Sequence, residues 1–142
     1  MKLINVRKKE INIKDPTKLL IEDEVAPELI RFVLTDVSDV VNISSLGFYL
    51  QYRNRLGELG VEALTKTYSD GVLTLDWYPS SSFTKESGRI EIQIIGYLAE
   101  VGSDPVTRWS SLKTVVTLPE NITGTITLVD KRQRAQLASI LG

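Results

Sequence analysis

Carboxylates are the residues of this sequence that could carry out acid–base chemistry unaided, because two of them at a suitable separation are enough to hydrolyse a glycoside. The candidates are Glu22, Asp23, Glu24, Asp36, Asp39, Asp70 and Asp76. Nothing in their spacing brings two of them together, and a turn, a cap or an exposed surface accounts for each one. A calcium site at Asp36 and Asp39 lacks the spacing of an EF-hand loop. The carboxylates therefore predict neither an enzyme nor a metal site.

The composition excludes most other catalytic groups. The 142 residues include no histidine and no cysteine, which removes the imidazole base, the thiolate nucleophile, the disulfide and the usual transition-metal ligands. Serines cluster at 80–82 and at 110–111, but a Ser-His-Asp triad needs histidine, and a Ser-Lys pair has no support. No glycine-rich phosphate-binding motif occurs. We expect no catalytic residue and no cofactor.

Charge is balanced overall but uneven along the chain. Seventeen basic and eighteen acidic residues give a net charge of −1, which favours neither nucleic acid nor an anionic membrane as a partner. Residues 1–20 hold six bases and two acids, whereas residues 21–30 hold four acids and no base. We interpret the two segments as a solvated strand and a polar loop. A contact between them across a subunit boundary is the alternative.

Targeting signals are not recognisable in the sequence. No apolar run is long enough to span a bilayer, and no apolar stretch of the secretory type follows the basic residues 1–9. We expect synthesis in a cytoplasm, with a later location in a particle left open.

The elements that position these side chains are predicted to be strands. Val, Ile and Thr make up 38 of the 142 residues, and β-branched side chains suit a pleated surface better than a helix. Apolar and polar residues alternate in four runs, at 30–34, 48–53, 61–66 and 89–98, so that one set faces a core. The last run is about ten residues long, and Gly96 within it predicts a bulge or a bend.

Turn signals separate the runs at the intervals of an all-β fold. Asp70-Gly71 is a strong hairpin signal, and single turns are expected at Ile43–Leu46 or Glu58–Leu59. About seven to nine strands with no helical segment between them predict an antiparallel β-sandwich over residues 1–128, immunoglobulin-like in the loose sense.

Residues 129–142 have a different pattern. Asp130 could cap a helix, on which Leu137, Ile140 and Leu141 would form one apolar face. A helix this short needs something to pack against. Packing on its own sandwich and use as an oligomerisation element or the start of a stalk are both open.

The aromatic residues of the second half have two interpretations. Trp77 extends the apolar set of Leu75, which predicts a place in the core and directs Asp76 to solvent. Trp109 is also expected in the core. The alternative is that exposed rings stack on sugars, and the candidates for this role are Tyr78, Tyr97 and Trp109.

One stretch resembles a known family. Its parts are Asp70–Trp77, Phe83–Gly88, Arg89–Ile94, Arg108–Ser111, Val115-Val116 and Asn121-Ile122. This order of a strand ending in Trp, a polar loop ending in Gly, a long strand, a Trp-x-Ser turn and a Val-rich strand resembles the N-terminal domain of upper baseplate and minor tail structural proteins from phages of Gram-positive bacteria. The resemblance covers about residues 70–122, and before them only the rhythm of the strands matches.

The resemblance implies a non-catalytic β-sandwich that docks into a phage tail tip or baseplate, with a helical stalk leading to host-binding modules. Its partners would be other tail or baseplate proteins and copies of itself, a trimer being favoured, with host-surface carbohydrate contacted only indirectly. It implies a location in the virion tail after synthesis in the bacterial host. Since the sequence stops at Gly142, we expect a fragment or a short adaptor. The alternative function is a carbohydrate-binding module, and an enzyme that uses carboxylates alone comes last.

Overall fold

Ten β-strands in two sheets make up nearly all of the regular structure in the described part of the chain. The structure is a computed structural model, and it describes residues 1–20, 28–99, 102, 104 and 106–120. The predicted helix over residues 129–142, its apolar face and the boundary after residue 128 lie outside the described residues.

Sheet A has five strands. In spatial order they are β2 (Glu10–Asn12), β1 (Lys2–Arg7), β3 (Ile30–Leu34), β7 (Val72–Trp77) and β6 (Thr65–Ser69). Sheet B also has five strands. Its main path is β10 (Thr114–Leu118), β8 (Gly88–Leu98), β4 (Gly47–Arg53) and β5 (Leu59–Ala63), and β9 (Val106–Ser110) pairs with the other end of β8.

The pairing of β1 with β3 corrects the prediction of wholly antiparallel sheets. These two strands run parallel, with Lys2 opposite Ile30 and Val6 opposite Leu34. β1 lies between β2 and β3 in the sheet. β3 therefore pairs with the edge of β1 that β2 leaves free, and it runs in the same direction as β1. All other strand pairs among the described residues are antiparallel.

Two hairpins in sheet A close through residues with positive φ. The predicted turn at Asp70-Gly71 is confirmed, with φ of 52° and 77° between β6 and β7. Lys8 and Lys9, between β1 and β2, have φ of 51° and 66°. Two successive positive φ values match the twist of the flanking strands, which is why Asn-Gly and Asp-Gly dominate such turns. The Lys-Lys pair adopts the same shape without that sequence signal.

The predicted alternation of apolar residues is confirmed in the runs 30–34, 48–53 and 89–98 and generates one core. In the run 61–66 the apolar Val61 is exposed, and Glu62 and Leu64 face the core instead. Side chains from both sheets form a single buried cluster, which includes Phe32, Leu34, Leu50, Leu75, Trp77, Ile92, Ile94 and Val116. Phe83 joins the sheets, because its ring stands edge-on to Trp77 at 4.8 Å and to Tyr52 at 5.0 Å. Two sheets with one core between them fit the predicted sandwich.

The sheets are also tied together by their backbones. The N–H of Leu112, between β9 and β10, donates to the carbonyl of Lys9 at 2.7 Å, and the N–H of Thr117 donates to the carbonyl of Pro16 at 2.9 Å. Both bonds join the β2 side of sheet A to sheet B, so this side of the fold is closed by hydrogen bonds.

Local features were predicted with mixed success. The register of β8 with β9 shifts between Gly96 and Tyr97, which confirms the predicted bulge. A 3₁₀ turn at Ile43–Ser45 is confirmed, but the turn at Glu58–Leu59 is wrong because β5 begins at Leu59. The chain reverses earlier, where the Asn54 side chain accepts the N–H groups of Leu56 and Glu58.

One helical turn was not predicted. The short helix α1 (Ser81–Thr84) follows Ser80, whose side chain accepts the N–H of Phe83 as an N-cap. A serine cluster is typical of either a loop or a helix cap. Here Ser80 caps a helical turn that begins with the other two serines.

Candidate functional site

A cleft of about 760 Å³ is the candidate functional site. It lies where the β1–β2 turn, the loop between β3 and β4, and the ends of β8 and β9 meet. Residues 8–9, 36–37, 39–42, 46, 98 and 108–109 supply the lining. These segments are far apart in the sequence and are brought together by the pairing of the strands.

The floor of the cleft is apolar and belongs to the core. Val37 and Leu46 are buried, and Trp109 is 8% exposed. The Trp109 ring stands edge-on to Phe48, with centroids 6.4 Å apart, a favourable arrangement for two aromatic quadrupoles. Trp109 is therefore in the core, as predicted, and also forms part of a cleft wall.

Hydrogen bonds hold the walls of the cleft. The Asp36 carboxylate accepts the N–H of Lys8 at 2.6 Å, which ties the strained β1–β2 turn to the loop. Next to the floor residue Leu46, the ammonium of Lys66 donates to the carbonyls of Ser44 and Leu46 at 2.5 and 2.7 Å, which holds the end of the loop between β3 and β4. The cleft is thus formed before any partner is present.

The rim of the cleft carries charge of both signs. The cations are Lys8, Lys9 and Arg108, and the carboxylates are Asp36 and Asp39, all on exposed residues. No ion pair within the described part of the chain involves any of the five. Three cations against two carboxylates leave the rim with one excess positive charge.

The structure brings Trp109 into one cleft with Asp36 and Asp39, a connection that the sequence could not show. No group of three or more acidic side chains placed to hold a metal ion occurs among the described residues. Asp70 lies in its hairpin turn, and Glu22, Asp23 and Glu24 lie outside the described residues.

Asp76 faces away from Leu75 and Trp77, as predicted, but it is not free in solvent. Arg31, directly opposite on β3, donates from Nε and Nη2 to its two carboxylate oxygens at 2.6 and 2.9 Å. These hydrogen bonds hold the pKa of Asp76 below its usual range, against the opposing effect of burial. A bidentate pair between a guanidinium and a carboxylate adds geometric specificity, and here it supports the register of β3 with β7.

The candidate sugar-stacking rings do not form one platform. Tyr97 neighbours Gly96 on β8 and therefore faces the opposite side of sheet B from Trp109, beside Tyr49 at 5.6 Å. Tyr78 is 69% exposed and follows β7 in sheet A. Of the three rings, only Trp109 lines the cleft.

Sequence reasoning missed Glu62, a carboxylate that is only 6% exposed. Its Oε1 accepts the N–H groups of Ser80 at 2.7 Å and of the Trp77 indole at 3.3 Å, and its Oε2 accepts the Ser80 hydroxyl at 2.8 Å. Burial, and after it the negative charge of Glu62, raises the pKa of Tyr52. The available signal was alternation, because Glu62 shares a strand face with the apolar Leu64.

Glu62 has a structural role. It joins β5 to the end of β7 and to the cap of α1, and no buried side-chain polar atom among the described residues is left without a hydrogen bond. Three hydrogen bonds satisfy the acceptor oxygens of this buried side chain and offset the cost of burying it. The serine beside it is an N-cap.

No helix in the described part of the chain is long and apolar enough to cross a membrane.

Comparisons with solved structures show a likeness of fold. The N-terminal domain of ORF48 of phage TP901-1 superposes on this chain with a TM-score of 0.57 and 17% sequence identity. The match covers 83% of this chain and 97% of the phage domain. No family model and no curated protein matches the sequence.

Proposed function

We propose that this protein is a structural component of a phage tail tip or baseplate, which docks by protein–protein contacts and supports host-adsorption modules. The observation that carries the proposal is the likeness to the phage domain over nearly its whole length. The resemblance of residues 70–122 to baseplate and minor tail proteins of phages that infect Gram-positive bacteria supports it independently. The protein would be made in the host cytoplasm and act in the virion tail without catalysis.

The distribution of polar groups supports a role exercised through surfaces. Buried Glu62 holds other parts of the fold, and the Asp76 carboxylate is occupied by Arg31. Five charged side chains that form no ion pair with described residues lie at the rim of a cleft built by four separate parts of the chain. Such a preformed surface suits docking between proteins, because little order has to be created on binding.

The oligomeric part of the proposal rests on the sequence of the last 14 residues. Leu137, Ile140 and Leu141 would form an apolar stripe on a short helix, and copies of such a helix gain stability by packing together. We propose a homo-oligomer, with a trimer favoured, that these residues hold together.

Particle association tests the proposed function. An antibody against the purified protein would be used for immunogold microscopy and immunoblotting of gradient-purified phage particles from a culture that carries the gene. We expect label at the tail tip and a constant ratio of this protein to a major tail protein. Purified particles that contain the tail protein but not this chain would overturn the proposal.

A carbohydrate-binding module remains the second candidate because Trp109 lines a cleft beside Asp39 and Arg108. Sugar sites commonly combine an aromatic ring with such polar groups. Calorimetric titration with cell-wall polysaccharide fragments tests it: binding lost on Arg108→Ala would favour this candidate, and no measurable heat would exclude it.

A further inference from the structure

The two tryptophans of the chain differ in one respect. The indole N–H of Trp77 donates to Glu62. Trp109 is almost as deeply buried as a residue, yet no described residue accepts a hydrogen bond from its indole N–H. Since no buried side-chain polar atom among the described residues lacks a hydrogen bond, this N–H is reached by solvent and can donate to a ligand. Because Trp109 lines the cleft, a ligand in the cleft could supply the acceptor.

The charges at the rim indicate which acceptor is favoured. Lys8, Lys9 and Arg108 have no carboxylate partner among the described residues, and Asp36 already accepts the Lys8 N–H. A carboxylate can accept from the indole and from a cationic side chain at the same time. The excess positive charge favours such an anionic group over a neutral one.

The floor of the cleft indicates what must accompany the carboxylate. Val37, Leu46 and Trp109 present apolar surface, and Val41 stands 79% exposed at the edge. An apolar side chain next to the acidic one would cover this surface. Together, the floor and the rim match a short polypeptide segment in which acidic and apolar residues are neighbours.

We propose that the cleft binds an acidic segment of a partner protein, with an apolar side chain on the floor and a carboxylate between the Trp109 indole and the cations of the rim. The inference rests on the proposed function and deepens it, since it assigns the surface and the chemistry of docking. Arg108 and Trp109 are the residues on which recognition depends most.

Nuclear magnetic resonance of the full chain tests the proposal directly, because two tryptophans give two indole N–H signals and Trp109→Phe assigns them. The probe is a short blocked peptide in which aspartate and leucine alternate. We expect the Trp109 signal to shift in a saturable manner while the Trp77 signal stays fixed as an internal control. The same peptide with asparagine in place of aspartate should bind about tenfold more weakly or worse.

Two variants locate the binding site. Arg108→Glu should abolish the shift caused by the peptide. Lys113→Glu, which reverses an exposed charge in a separate cleft beside Gln51 and Glu91, should leave the shift unchanged. An unaltered Trp77 signal in both variants shows that the fold is intact.

Four outcomes would overturn the proposal: no shift of the Trp109 signal, an equal shift with the asparagine peptide, an equal shift in Arg108→Glu, or tighter binding of glucuronate than of the peptide. The last would mean that the cleft takes a sugar acid. If the protein is present in particles but its Trp109 signal does not respond to the peptide, this inference is refuted and the proposed function stands. A responsive cleft in a protein absent from particles would refute the proposed function instead.

Discussion

Gly96 lies directly opposite Phe48 across the β4–β8 pair, and a Cβ at position 96 would stand 2.7 Å from Cε1 of the Phe48 ring. The ring occupies the space that a side chain would need. The next pair along the ladder repeats the relationship in reverse, with Gly47 under Tyr97, and Gly60 is covered by Tyr52 in the same way. Aromatic rings over cross-strand glycines pin the register of sheet B.

The first prediction concerns Gly96→Ala. The added methyl group forces the Phe48 ring to move, and Phe48 supports Trp109 in the cleft. We expect a loss of about 1–3 kcal/mol in the free energy of unfolding, measured by urea denaturation. In a Phe48→Leu background the cost of Gly96→Ala should fall, since the smaller side chain leaves room. An equal cost in both backgrounds would show that the ring is not the cause.

The second prediction concerns Glu62→Gln. The amide keeps the volume but replaces one acceptor oxygen with an NH2 donor, which then faces donors of Ser80 or Trp77. We therefore expect a loss of about 1–3 kcal/mol in the free energy of unfolding. Removal of the charge should also lower the pKa of Tyr52, because Glu62 contributes to its elevation. Chemical denaturation and titration of the tyrosine ring signals measure the two effects. Glu91→Gln, on the outer face of sheet B, is the control, and a variant as stable as this control would contradict the prediction.

The third prediction concerns Asp76→Asn and pH. Arg31 holds the pKa of Asp76 below its usual value, so the ion pair stabilises the fold above the unfolded-state pKa of about 4. That contribution is lost as the pH falls through the lower folded-state pKa. We expect the variant to have a lower Tm than the wild type at pH 7 and for the difference to shrink towards pH 3. Thermal unfolding at the two pH values measures this, with Asp39→Asn as the control. An equal difference in Tm between variant and wild type at both pH values would contradict the prediction.

The fourth prediction concerns the C-terminal apolar stripe. Leu137→Asp combined with Ile140→Asp places two charges on it, and we expect weaker self-association, or lower stability if the helix packs on its own sandwich. Sedimentation equilibrium and thermal unfolding distinguish these results. Gln136→Asp combined with Ser139→Asp changes the other face and should leave both quantities unaltered. If the first double variant behaved like the second, residues 129–142 would be a disordered end.

The sequence predicted what depends on neighbours in the chain. Alternation places Phe32, Leu75 and Trp77 in the core because side chains on successive strand residues face opposite sides. The Asp70-Gly71 turn follows from the positive φ that glycine allows, and a glycine inside a long strand marks the irregularity at Gly96.

Features that depend on distant residues could not be predicted. The β1–β2 turn lacks glycine, and Asp36, more than 25 residues away, accepts the Lys8 N–H at its centre. Glu62 is tolerated inside because Ser80 and Trp77 supply donors to it. The cleft exists only when four separate segments meet. No local pattern encodes such an arrangement, since each segment alone is typical of an exposed loop or strand.

The parallel pairing of β1 with β3 also affects how the chain folds. The β6–β7 hairpin closes over two residues, whereas β1 must find β3 nearly thirty residues away, and β4 pairs with β8 across about forty to fifty. High contact order of this kind places folding in the millisecond-to-second range. Because β1 leaves the ribosome before β3 and β7, its apolar residues Ile4 and Val6 cannot pack against these strands until the strands have been synthesised. We therefore expect β1, together with its hairpin partner β2, to be among the last strands to join the rest of sheet A.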